Sequence, residues 1–201
     1  GFNHNYNWWD PYGAYNYPYD GNNHGSHTMG TMVGSVADVY AIGMAPGAEW
    51  IACRGCGTSS CGSLELFSCA QWVVAPWNLS GSPATADPDR RPHVVNNSWG
   101  DCGTSYDGWF QGVVNSWYSA GIYPIFSAGN ASNCGYPEPP PCGSVGNPGR
   151  YGNVTTVGST GQANGAYAPH SNRGPTDSAD TVNGGSYPTI KPQVVAPGEG
   201  I

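Results

Sequence analysis

The first regular pattern of apolar positions begins after His24, where Met29, Met32, Val33 and Val36 fall at i, i+3, i+4 and i+7 and predict a helix. The preceding residues, 1–23, are aromatic, rich in Asn and broken by Pro and Gly, and they predict a surface loop. A turn at Ala45-Pro46-Gly47 leads into a predicted strand, Glu49 to Arg54. A second helix is predicted from Ser63 to Val74, with Leu66, Cys69, Ala70, Val73 and Val74 on one face. Pro, Ser and Asp crowd residues 75–92, a connecting loop, and Pro92 to Asn97 is a short apolar strand. Thr104 with Asp107 three residues on has the form of a capping box. It predicts a third helix whose buried face is Phe110, Val113, Val114, Trp117 and Tyr118. Strands are predicted again at Ile122 to Ser127 and Asn153 to Gly158, with a Pro-, Gly- and Cys-bearing loop over 131–152 between them.

From residue 49 to 127 strand and helix alternate, and the strands are short β-branched runs without period-2 polarity. That pattern predicts an α/β fold, a mainly parallel sheet covered by helices on both faces. The chain of 201 residues fits one domain with a sizeable core, and no internal repeat divides it. Charged residues are only 9% while Gly (31) and Pro (18) are plentiful, so the fold is loop-rich; aromatics at 12% exclude a disordered segment. A net charge of −7 would repel phosphate backbones, which argues against nucleic acid as a partner. No run of about 18 apolar residues is present, so no membrane helix is expected. A monomer is expected.

Seven cysteines, one lysine and abundant Tyr, Asn, Ser and Gly point to an extracytoplasmic, secreted protein. Cys53, Cys56, Cys61 and Cys69 admit a zinc-cluster reading, but no His lies near and the spacing does not match a two-pair knuckle. Disulfides are the simpler expectation, with Cys134–Cys142 closing a short loop across a Pro-rich turn. The odd count leaves at least one cysteine free or paired elsewhere.

Three stretches carry candidate chemistry. His24-Gly25-Ser26-His27 places an imidazole at a helix start, and Asn96-Asn97-Ser98-Trp99-Gly100 and Ser127-Ala128-Gly129-Asn130 both end strands. In a parallel sheet, ligands bind outside the carboxyl ends of the strands. Glycines there let a substrate backbone approach, and Ser98 to Gly100 could pair with a peptide as an added strand. A base, a backbone rail and an amide donor are three parts of an acyl-transfer site.

At these residues the chain resembles the subtilisin-like serine peptidases, the subtilases of peptidase family S8. His24-Gly-Ser-His27-Thr-Met-Gly30-Thr resembles their histidine motif, and Met44-Ala45-Pro46-Gly47-Ala48 their turn before the second strand. Asn96 to Gly100 resembles the substrate-binding segment and Ser127 to Asn130 the oxyanion motif. Ser171 to Pro175 and Lys191 to Gly198 resemble two segments preceding the nucleophile. The Cys-rich insert and the Trp-Trp-Asp-Pro-Tyr opening look similar to the bacillopeptidase F-like branch.

The resemblance implies a three-layer subtilisin-like fold and hydrolysis of protein or peptide substrates through a Ser/His/Asp triad and an acyl-enzyme. In it His24 is the general base and Asn130 the oxyanion donor. Ser98, Trp99, Gly100, Ser127, Ala128 and Gly129 line the substrate path, with Trp99 a bulkier wall than the family's usual Leu. His27 packs within its helix. No cofactor is required; subtilases often carry structural calcium, yet no carboxylate cluster here meets a calcium-loop spacing, and Asp38 and Asp101 read as solvated.

The departures are as informative. Neither Asp10, before Pro, nor Asp20, before Gly-Asn, fits the family's Asp motif, and no Gly-Thr-Ser segment follows Ala196-Pro197-Gly198. Gly57-Thr58-Ser59 and Gly103-Thr104-Ser105 stand in the wrong order and read as turn and cap residues. The expectation is a catalytic domain truncated at both ends, inert by itself, whose parent is an active endopeptidase. The competing reading is a pseudopeptidase that binds peptides in the same groove. Either requires His24 and Asn130 to face a shared cleft.

Overall fold

Residues 3–36, 40–161, 165–176 and 190–201 are described by the computed structural model. They divide into two units, Gly1–His93 and Val94–Ile201.

In the first unit the aromatic opening is not simply a surface loop. Trp8–Trp9 form strand β1, paired parallel with β4, Ala52–Cys53, in the register Trp8↔Ala52 and Trp9↔Cys53. Trp8 is buried, its indole N–H donating to Tyr15 O, while Trp9 donates to Ser68 Oγ and meets the Trp77 ring edge-on. The loop after β1 is wound around Asp10, whose buried carboxylate accepts the backbone N–H of Tyr12, Ala14 and Tyr15 and pairs with Arg54 at 3.4 Å. A two-residue parallel strand has no alternation to betray it, because its partner lies far along the chain.

Helix α1 is His24–Val33, and β2 (Ser35–Val36) with β3 (Tyr40–Ala41) forms an antiparallel pair. Val36, expected on the helix, lies in β2 and is half exposed, since the helix stops before it at Gly34. Helix α2 spans Ser63–Val74, as the spacing predicts. It buries Leu66, Ala70, Val73 and also Trp72, whose N–H donates to Trp77 O. The loop over 75–92 contains two short 3₁₀ turns, Pro83–Thr85 and Pro88–Arg90, capped by Ser82 and Asp87.

The second unit is built on a four-stranded, wholly parallel sheet in chain order: β5 (Val94–Asn97), β6 (Tyr123–Ser127), β7 (Thr155–Thr160) and β8 (Val194–Pro197). Helix α3, Gln111–Ser119, packs on β6 and buries Val114 and Trp117, with Phe110, Ile122 and Phe126 beside them in the core. It begins later than the capping-box reading predicts. A 3₁₀ turn, Gly108–Phe110, intervenes, and Asp107 is its N-cap, accepting from Trp109 N. Thr104 caps nothing there; Ser105 O instead accepts from Asn147 Nδ2 at 3.1 Å.

The long loop over 131–152 is held by buried polar side chains. Arg150 donates from Nε to Val145 O and from Nη2 to Gly143 O, and Tyr151 donates to Asp107 O while accepting from Phe110 N. Burial pushes the Tyr151 phenol well above its ordinary value, outweighing the hydrogen bond from Phe110. Lys191, just before β8, is 3% exposed, and its ammonium donates to Tyr151 O (2.7 Å), Val154 O (2.9 Å) and Thr156 Oγ1 (3.1 Å).

The disulfides are Cys53–Cys69, Cys56–Cys61 and Cys102–Cys134, with Cys142 free and exposed. The expected Cys134–Cys142 closure is therefore wrong. Cys134 pairs instead across the molecule's second unit, a partner that loop length alone could not reveal. The four cysteines open to a zinc reading form two of the bridges, which excludes that reading.

Candidate functional site

The imidazole of His24 is presented by the first residue of α1, and the carboxylate of Asp20 organises that entry. Its oxygens accept the backbone N–H groups of Asn22 (3.1 Å), Asn23 (2.9 Å) and Ser26 (2.7 Å). Asn23 sits in the left-handed region at φ 66° and offers no side-chain cap, so Asp20 supplies the acceptor that the helix start lacks. Desolvation would raise the Asp20 carboxyl, but the hydrogen bonds from Ser26, Asn22 and Asn23 outweigh it and hold it below its usual range. Asn22 Nδ2 also donates to Thr58 O at 2.8 Å, which gives Gly57-Thr58-Ser59 a turn role inside the Cys56–Cys61 loop. His24 and His27 are both exposed. Among the described residues the His24 side chain has no hydrogen-bond partner.

In the second unit the carboxyl ends of β5 to β8 open on a cavity of about 280 Å³. Five sequence-predicted residues line it: Ser98, Ser127, Ala128, Gly129 and Asn130. The turn after β6 is built by backbone bonds, Ala128 N to Val157 O, Ala131 N to His170 O and Asn172 N to Gly129 O. Gly129 adopts φ +88°, and a Cβ on it would lie 2.8 Å from Asn172 Nδ2, so glycine is required by both conformation and space. Asn130, exposed at the end of this turn, bridges backbone to backbone with Ser171, and among the described residues its side-chain amide takes no partner.

Trp99 and Gly100 stand apart from the cavity lining. The Trp99 ring is half-buried and packs on Phe110 (5.1 Å), Phe126 (5.5 Å) and Trp109 (6.1 Å), so it supports β5 rather than walling the cavity. Gly100 lies against Asn147 O, leaving 3.1 Å for a Cβ. Asn96 and Ser171, members of two of the family-like segments but given no site role from the sequence, also line the cavity, as does Ser159, which lies in none of them. Their signal was positional: each stands at a strand end or in a segment bridged to one. Asn97 is structural, donating to Val95 O and Ile125 O.

Asp101 is exposed, as a solvated carboxylate should be, but it is also tied down. It accepts from Asn147 N (2.7 Å), Asn147 Nδ2 and Gly103 N (2.9 Å), fastening the loop over 131–152 to the end of β5. Asp38 lies outside the described residues. The carboxylates of Asp10, Asp20 and Asp101 are thus engaged by N–H donors, and among the described residues no group of three or more His, Cys, Asp or Glu could hold a metal ion. These donor sets do not fit calcium.

The profile of the subtilase family (Peptidase_S8) matches residues 2–200, and the chain belongs to that family. Its three-layer α/β fold, a mainly parallel sheet between helices, is the one that the motifs imply. The chain is 39% identical over 196 residues to bacillopeptidase F of Bacillus subtilis, covering 97% of this chain and 12% of that protein. Subtilisin Savinase of Lederbergia lenta is 32% identical over 145 residues, 72% of this chain and 45% of its own length. A thermostable alkaline protease of Halalkalibacterium halodurans is 30% identical over 157 residues, 78% of this chain and 37% of its own. The chain therefore spans less than half the length of each of these relatives.

Proposed function

We propose that the whole protein is a serine endopeptidase that hydrolyses extended protein or peptide substrates through an acyl-enzyme. His24 takes the proton from the nucleophilic serine hydroxyl as its oxygen attacks the scissile carbonyl, then returns it to the leaving amine. The Asn130 amide donates to the oxyanion that forms on the carbonyl oxygen. Ser98, Gly100 and the backbone of Trp99 align the peptide, while Ser127, Ala128 and Gly129 line the cleft. The serine and the orienting carboxylate are expected outside residues 1–201. One observation carries this reading: the exposed Asn130 amide, without a partner among the described residues, is held by a turn that requires glycine at the rim of a cavity that Ser98 shares.

Three disulfides in 201 residues support export to an oxidising compartment, and no helix among the described residues is long and apolar enough to cross a membrane. We expect a secreted enzyme acting as a monomer.

The test is peptide hydrolysis by the full-length protein and its variants. His24→Ala should remove most of kcat/KM. Asn130→Leu should lower kcat by about 10²–10³, the loss that the corresponding donor of a subtilisin produces, with KM little changed. Wild-type rates in either variant would overturn the assignment. Peptide binding without hydrolysis by the full-length protein would favour the pseudopeptidase reading.

A further inference from the structure

The second unit holds another cavity, at the edge of the sheet opposite Asn130. The amino ends of β6 and β7 and the last turns of α3 border an open surface groove of about 500 Å³, lined chiefly by Asn115, Tyr118, Tyr123, Asn153, Thr155 and Gln193. Among the described residues no carboxylate, ammonium, guanidinium or imidazole lines it. The lining offers amides, hydroxyls and aromatic rings, which suit an uncharged polar molecule.

The amides of this wall are locked in one arrangement. Gln111 Nε2 donates to the Oδ1 atoms of both Asn115 and Asn153, at 3.0 Å each, and Asn153 Nδ2 donates to Asn115 Oδ1 at 3.1 Å. Gln193 is fixed from below, accepting from Thr156 N and donating to Val154 O. Asn115 Oδ1 accepts twice, so its Nδ2 remains an unengaged donor among the described residues, and Asn153 Oδ1 keeps a lone pair. Beside them stand two rings, Tyr118 (40% exposed) and Tyr123 (46%), edge to face with centroids 6.0 Å apart. Tyr123 OH is held by Thr155 Oγ1 at 2.6 Å. Burial, and then the neighbouring Tyr123, raises the Tyr118 phenol, which keeps it an uncharged O–H.

Preset amide donors and acceptors beside exposed aromatic faces suit a molecule with vicinal hydroxyls on one side and a C–H face on the other. An extended peptide would instead need an open strand edge, and Tyr123 and Thr155 belong to strands already paired in the sheet. We propose that this cavity binds a neutral saccharide, the ring stacking on Tyr118 or Tyr123 and its hydroxyls meeting Asn115 and Asn153. The site is independent of the peptide cleft. It would hold the peptidase near glycan-bearing material.

Calorimetric titration of the full-length protein with cello-, chito-, malto- and manno-oligosaccharides tests this. Saturable binding to at least one of them is expected, weakened about tenfold or more by Tyr118→Ala or Asn115→Ala. Tyr118→Phe, which keeps the ring, should bind within about twofold of wild type. Affinity should hold between about 0.05 and 0.5 M salt, because neither partner is charged. Peptide hydrolysis should not change in these variants. No saturable binding to any of these sugars would overturn the proposal, as would undiminished binding by Asn115→Ala and Tyr118→Ala or loss of binding in salt. Should Tyr118→Ala fail to fold, Asn115→Ala decides alone.

Discussion

The side-chain amide of Asn172 occupies the space that a Cβ on Gly129 would need, 2.8 Å from its position, while Asn172 N donates to Gly129 O at 2.9 Å. Asn172 is fully buried and among the described residues its amide atoms find no hydrogen-bond partner, so its contribution there is to fill and brace the turn that displays Asn130. Gly129→Ala meets both this contact and an unfavourable φ. It should destabilise the fold by about 1–3 kcal/mol, read as a lower urea midpoint with unchanged slope. Truncating the brace with Asn172→Ala should relieve only the contact, so the double variant recovers part of the loss.

Asp20 should contribute to stability in a pH-dependent way. Its folded-state pKa is depressed, so the contribution is present above the unfolded value and is lost as pH falls through the lower native one. Asp20→Asn, which keeps one acceptor oxygen but not the charge, should therefore be less stable than wild type at neutral pH, and the difference should shrink as the wild-type carboxyl protonates in acid. Chemical denaturation at several pH values checks it; a gap that persists or widens in acid would contradict the assignment.

Thiol titration of the denatured, unreduced chain should find one reactive thiol, at Cys142, and peptide mapping should recover Cys102–Cys134. Replacing both Cys102 and Cys134 by Ala opens a loop of 32 residues' separation. On the chain-entropy view this costs about 4 kcal/mol, visible as a lower Tm of the unreduced protein.

Trp99→Ala should act first on stability. The ring's partners, Phe110, Phe126 and Trp109, are core or core-flanking aromatics, and removing it should cost about 2 kcal/mol. A large change in substrate preference at unchanged Tm would instead place the ring in the peptide's path.

Much of this was legible in the chain. Helix α2 was readable to its ends because its apolar spacing is unbroken, and His24 was readable as the start of α1. The β5 and β6 strands could be read from the short apolar runs Val94-Val95 and Ile122 to Phe126, each ending in turn-forming residues. What escaped depends on contacts distant in sequence. Trp8–Trp9 becomes a strand only because Ala52–Cys53 lies beside it, and Cys102 pairs with Cys134 at a sequence separation of 32. The delayed start of α3 turns on Asp107, which serves as cap rather than third helical residue. At the sheet rim, the predicted residues and the cavity residues agree except at Gly100, which lies against Asn147 O, and at Trp99, where the same side chain can face inward or outward without altering the local pattern.

Lys191 has a practical corollary. It is the chain's single lysine, and its ammonium hydrogens are all directed at oxygens inside the second unit. Reagents that acylate or crosslink surface amines would find no side chain here to modify while the fold persists. Amine-coupled supports or dyes would have to be replaced by the thiol of Cys142, and a labelled Lys191 would report that the structure had opened.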